Sequence, residues 1–210
     1  MKLLVTVLPA LLMLGAAGLA QDRLPDGGVA KGGGAGVVKA WYGQPVTRYD
    51  HGVLGDGIEG GALLAVDAAG QTHRLELPNH LVFEDITPRL ADLDGDGTSE
   101  IVTIRSDLAT GAAVAVYGLA GGQLTERAAT LPIGQAHRWL SIAAIADFTA
   151  EPGLEIAIVK TPHIGGVLEI LSLAHNELTR IRPRLSGFST HFIGSRHVSL
   201  AHAQDIDGDG

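Results

Sequence analysis

Asp92, Asp94 and Asp96 alternate along one short stretch, Gly97 follows, and a fourth carboxylate stands at Glu100. Alternating acids put oxygen donors on one side of a tight loop, as a hard cation such as Ca²⁺ requires. Gly97 can take the positive φ that folds such a loop back on itself. Without a cation, like charges at close range oppose the compact form. The pattern returns at Asp205, Asp207 and Asp209, each again two residues apart. A solvated acidic turn explains one such stretch more readily than two.

Helix–loop–helix calcium loops end in a bidentate Glu at their twelfth position, followed by a helix. Counted from Asp92, that position holds Thr103, and Ile101-Val102-Thr103-Ile104 reads as a strand. Thr87 to Ala91 leads in as another strand, so the loop is expected to close a β-hairpin.

Strand-like runs recur around it: Ala62–Val66, Thr72–Leu77, Thr87–Ala91, Glu100–Ile104, Val114–Leu119 and Gln123–Ala128. Leu140–Ala146, Glu155–Lys160, Val167–Leu173, Glu177–Ile181 and Val198–Ala203 continue the series. With 29 glycines, 4% aromatic residues and no long amphipathic helical pattern, the chain reads as all-β. Aligning Asp92 with Asp147 places Ala91 on Ala146 and Glu100-Ile101 on Glu155-Ile156; Asp205 opens a third copy. The spacing is about 55 to 58 residues, or about four strands per repeat, the content of one propeller blade. Tyr49 to Leu77 is expected to form most of a preceding, metal-free unit.

The Asp147 loop departs from the others. Asp147, Glu151 and Glu155 keep three acids, but Thr149 replaces the middle one and Pro152 takes the glycine position. Proline fixes φ near −65°, so this loop must adopt another shape or forgo metal, and it is expected to bind weakly or not at all.

Composition narrows the rest. Lys2, an apolar run from Leu3 to Leu14, and Gly18-Leu19-Ala20 before Gln21 form the pattern of a secretory signal peptide over residues 1–20. Pro9 and Gly15 break that run short of a membrane span, and no later stretch is long enough for one. The product is expected to be periplasmic or extracellular, and with no cysteine it must rely on its core, on metal, or on both rather than on disulfides. Residues 21–36 are polar and glycine-rich, expected as a mobile leader to the folded part, 37–210. The net charge of −8 and the lack of a basic stripe argue against nucleic acid.

These motifs resemble the FG-GAP/VCBS repeat family, through Asp-x-Asp-x-Asp-Gly-x-x-Glu opening a strand in repeats spanning roughly Thr87 to Gly210. The resemblance implies a β-propeller with Ca²⁺ in hairpin loops. Its ligands would be the side chains of Asp92, Asp94, Asp96 and Glu100 with the carbonyl of Thr98, and Asp205, Asp207 and Asp209 in the last copy. Phe192-Ile193-Gly194 stands as an altered form of the family's phenylalanine–glycine signature. Propellers close with about four to eight blades and the chain has room for about three, so an incomplete propeller, the N-terminal part of a longer protein, is expected.

No nucleophile elbow, phosphate loop or cysteine nucleophile is present. His191, His197 and His202 are spaced for neither a helical metal pair nor a compact zinc set. Arg138 and Arg196 each precede a motif aspartate by nine residues; they could line a channel and attract anions, but suit surface or packing roles better. The reading is therefore a non-catalytic binding module for a protein or glycan partner. The alternative is the N-terminal part of an exported propeller enzyme, a hydrolase or lyase, whose catalytic residues lie mostly elsewhere. Fold does not choose between them.

Overall fold

The computed structural model describes residues 22–204. The expected signal peptide, residues 1–20, and the third acidic motif, Asp205, Asp207 and Asp209, lie outside the described residues. Within them the chain is all-β and contains no helix. The strands are β1 (Ala30–Lys31), β2 (Ala35–Val46), β3 (Glu59–Asp67), β4 (Thr72–Glu76), β5 (Leu81–Phe83), β6 (Arg89–Ala91) and β7 (Thr98–Asp107). They continue as β8 (Gly111–Ala120), β9 (Gln123–Ala129), β10 (Leu140–Ala146), β11 (Glu155–Lys160), β12 (Val167–Ala174), β13 (Glu177–Arg180) and β14 (Leu185–Ser186).

Pairing is between sequence neighbours. β1 to β4 form one four-stranded antiparallel meander, β6 to β9 a second and β10 to β13 a third. Short β5 pairs with β3 and β7, and Ala35-Gly36 run parallel to Thr98-Ser99, joining the first two meanders into one sheet. The third forms a separate sheet, with β14 added beside β12.

Register carries the internal repeat into three dimensions. Ala91 pairs with Glu100 as Ala146 pairs with Glu155, and Leu90 with Ile101 as Ile145 with Ile156. In the next strand Tyr117 lies opposite Ile101 and Leu171 opposite Ile156. Val114–Tyr117 therefore matches Leu168–Leu171, one residue short of the offset that aligns Asp92 with Asp147.

The middle meander is apolar on both faces. Side chains alternate along a strand, so Ile101, Ala115 and Tyr117 point into one core with Val37, Ala40, Tyr42, Leu63 and Ala65 of the first meander. Val102, Ile104, Val114 and Val116 point the other way, against Leu140, Ile142, Ile156, Ile158, Leu171 and Leu173 of the third. Two-sided burial explains why β7 and β8 read as continuous apolar runs.

Three expectations are corrected. Segment 22–36 is not a loose leader: Leu24 is buried, Arg23 bridges Gly43, and Asp22 pairs with Arg74. Val198–Ala203 is not a strand, because no described strand runs beside it; Val198 only packs on the core. The entry strand to the acidic loop starts at Arg89, since Pro88 has no N–H to give the ladder. The twelve-residue β2 carries Gly43 and Pro45, residues that interrupt a strand pattern, and it persists because β3 pairs along most of it.

Candidate metal centre

Residues 92–97 connect β6 to β7 as a strand–loop–strand, the connection expected from the sequence. Gly95 and Gly97 both take positive φ, 73° and 84°, and fold the loop back. Asp92 then caps the loop's own backbone. Its two oxygens accept the N–H of Gly95 at 2.8 Å and of Gly97 at 2.9 Å.

Asp92, Asp94 and Glu100 each bring a carboxylate oxygen within 4.8 Å of the others, a group that could hold a metal ion. Asp96 stands apart: its Oδ1 accepts from the N–H of Thr98 at 2.8 Å and from its hydroxyl at 2.5 Å. The Thr98 hydroxyl holds the Asp96 carboxyl below its ordinary range. Thr98 itself opens β7 alongside Ala35.

Glu100 is buried at the base of the loop, and burial pushes its carboxyl up, against the opposing pull of Leu93 N–H and the Arg127 guanidinium. Leu93 N–H donates to its Oε2 at 3.0 Å. Arg127, on β9, donates to Glu100 Oε1 at 2.5 Å and to Asp94 Oδ2 at 2.8 Å. The cationic role between these two acids is thus taken by a side chain of the same meander. The third guanidinium nitrogen, Nε, reaches Asn176 Oδ1 at 3.0 Å, in the β12–β13 turn of the next meander.

The equivalent loop of the third meander, 147–154, is wired differently. Thr149, standing where Asp94 stands, donates its hydroxyl to Glu155 Oε1 at 2.5 Å. Phe148 N–H donates to the other oxygen at 2.8 Å. Asp147 Oδ1 takes the N–H of Thr149 at 3.1 Å, and Glu151 is exposed. Pro152 denies the left-handed turn at its own position, and Gly153, one residue later, supplies it with φ of 96°. That glycine packs on the first loop: a Cβ there would lie 2.4 Å from the Leu93 carbonyl oxygen.

His191, His197 and His202, near one another in sequence, differ in burial. His197 and His202 are exposed, whereas His191 is buried against His163, with Nε2 of His163 2.8 Å from Nδ1 of His191. His51 and His137 stack at 5.1 Å between ring centres, close to Trp139 and His163 in one cleft. These imidazoles come from four loops, and no local spacing in the sequence announces them. Arg196 is a tether, bonded to the Leu54 carbonyl at 2.9 Å and paired with Asp56 and Asp26. Arg138 lines the cleft.

Among the described residues no helix is long and apolar enough to cross a membrane. No family model, curated protein or solved structure matches the chain.

Proposed function

We propose that this chain is an exported calcium-binding repeat protein whose four-stranded meanders are propeller-type blades, and that it acts as a non-catalytic module for a protein or glycan partner. The observation that carries the reading is the convergence of Asp92, Asp94 and Glu100 in a hairpin loop between the first two strands of a meander. An all-oxygen donor set with no imidazole or thiolate suits a hard cation. The residues fit Ca²⁺ in part: three carboxylates converge, Asp96 is held by Thr98, and Arg127 competes for Asp94 and Glu100. Bound there, the ion would supply charge neutralisation and fix the loop, while Leu93 N–H and Gly97 N–H orient Glu100 and Asp92. Matching register in successive meanders, packed face to face, supports the blade reading.

Thermal melts and calorimetric titration of the exported chain with Ca²⁺, with Mg²⁺ and with chelator test it. Saturable Ca²⁺ binding that raises the melting temperature, with a weaker Mg²⁺ effect, is expected. A melting temperature and heat signal indifferent to Ca²⁺ would overturn the reading.

A further inference from the structure

Antiparallel strands reverse at each connection, so the β6–β7 and β10–β11 loops sit at one end of their meanders and the next connections at the other. At that other end lies a cleft of about 300 Å³, lined by His51, His137, Arg138, Trp139 and His163, with exposed Ile164 and Ile193 at its rim. Its volume is at the lower bound of small-molecule sites, about 300–1,000 Å³.

His51 is held by a buried carboxylate. Its Nδ1 lies 2.5 Å from Oε1 of Glu84, which is fully buried, and Ser106 donates its hydroxyl to Oε2. The backbone of Glu84 is fixed as well: its carbonyl accepts the Trp139 indole N–H at 3.0 Å, and its N–H bonds the Ile104 carbonyl at 3.1 Å. With Nδ1 directed at Glu84, Nε2 of His51 has no hydrogen-bond partner among the described residues and is the ring nitrogen free to meet a ligand.

A second imidazole is set the same way. His191 Nε2 lies 2.9 Å from the Ser195 carbonyl, which can only accept, so that nitrogen carries the proton. Nδ1 of His191 then accepts from Nε2–H of His163. Burial lowers both imidazoles below the ordinary histidine range, which keeps them neutral, and His163 is left with a lone pair on Nδ1. Arg138, half-buried in the wall, makes no side-chain hydrogen bond or ion pair among the described residues.

The backbone is strained here without a fold-level reason. Among the described residues, five other than glycine have positive φ. His175 and Asn176 form the two-residue β12–β13 turn, which requires it, and Gln44 turns its N–H away from β3 to the Asp22 carbonyl at 2.7 Å. The other two, His137 at 57° and Thr161 at 49°, both line the cleft. A β-branched threonine in that region is costly, and surroundings that hold such strain are typical of ligand sites. His137 is held by its N–H to the Tyr49 hydroxyl at 2.8 Å and Thr161 by its N–H to the Trp139 carbonyl at 2.9 Å.

We propose that this cleft binds a small hydroxylated anion, with Arg138 pairing its carboxylate or phosphate and the free nitrogens of His51 and His163 hydrogen-bonding its hydroxyls. The site does not depend on metal in the acidic loop, which lies at the other end.

Long-range ¹H–¹⁵N spectra of the histidine rings, recorded on the exported chain while glucuronate, glucose 6-phosphate or glucose is added, test the proposal. At least one of the two anions is expected to shift the His51 and His163 signals saturably. Arg138→Gln is expected to weaken that binding by about tenfold or more, as loss of one charge-assisted pair does, while leaving the melting temperature unchanged. His51→Gln provides a second variant and should weaken binding of the same anion. Equal binding of glucose, equal binding by Arg138→Gln, or no saturable shift with either anion would overturn the proposal.

Discussion

Glu100 and Glu155 hold the same place in successive repeats. Each sits opposite the alanine that ends the preceding strand, and each takes the N–H of the residue after the leading aspartate, from Leu93 at 3.0 Å and from Phe148 at 2.8 Å. The remaining oxygen distinguishes them. Glu100 gives it to the Arg127 guanidinium and Glu155 to the Thr149 hydroxyl. The ninth-position acid is thus a structural strut in both loops, and only the partner of its second oxygen differs.

From this follows unequal dependence on calcium. A cation that binds only the folded state adds about 2.7 kcal/mol at a hundredfold excess over Kd. Asp94→Ala is expected to abolish that increment. Thr149→Ala should instead lower stability by about 1 kcal/mol, the loss of one partly buried hydrogen bond, by the same amount with Ca²⁺ or with chelator. Chemical denaturation of both variants in the two conditions gives the comparison, and a calcium-dependent Thr149→Ala penalty would contradict it.

Arg127 occupies oxygens of Asp94 and Glu100 that a metal ion in the loop would need. Arg127→Gln is expected to destabilise the metal-free protein by about 1–3 kcal/mol, because buried Glu100 loses its charged partner. The same change should tighten Ca²⁺ binding, since the ion no longer displaces a guanidinium. Calorimetry on the variant would show tighter binding together with a lower metal-free melting temperature; weaker binding would mean that Arg127 orients the acids for the ion instead.

The strand–loop–strand form of the acidic segment was legible in the sequence because its turn and flanking strands lie within a short run, whereas the turning of Asp96 to Thr98 and the reach of Arg127 to Glu100 were not. The hairpin followed from Ile101 to Ile104 being β-branched around Val102 and Thr103. The burial of Leu24 and the persistence of β2 were not legible, since both depend on contacts with Tyr42 and β3 that no local pattern encodes. The cleft was hidden for a stronger reason. His51, His137, His163 and His191 are separated by dozens of residues and meet only when three meanders align, whereas the histidines close in sequence diverge.

The two loops also differ in tolerance at their turn glycines. A Cβ at Gly97 meets nothing within 4 Å, so Gly97→Ala carries only the left-handed backbone cost of about 1–2 kcal/mol. Gly153→Ala carries the same cost and drives a methyl against the Leu93 carbonyl. Its melting temperature should fall further than that of Gly97→Ala; equal falls would show that the loops can part without loss.

Glu59 predicts the pH response. It is buried near Glu84, Asp56 and Asp85, and burial first, then those charges, push its carboxyl up to about 9. The folded state therefore keeps a proton that the unfolded chain releases above about pH 4.3. Stability from this group is full below that pH and is lost as pH rises towards 9. Urea denaturation at pH 5, 7 and 9 should show the wild type weakening across the range, and Glu59→Gln weakening less. Parallel pH profiles would remove Glu59 as the cause.

The two-faced middle sheet sets how the molecule comes apart. Ile101 and Tyr117 are pinned from one side and Val102 and Val116 from the other, so no strand of β7 and β8 can leave without exposing one core or both. Peeling away either outer meander uncovers an apolar face that the middle one cannot turn towards solvent by shifting register, since a one-residue slip only exchanges one apolar set for another. Partial unfolding has no stable stopping point there. Amides of β7 and β8 should exchange with solvent only through global opening, as one foldon spanning all three meanders.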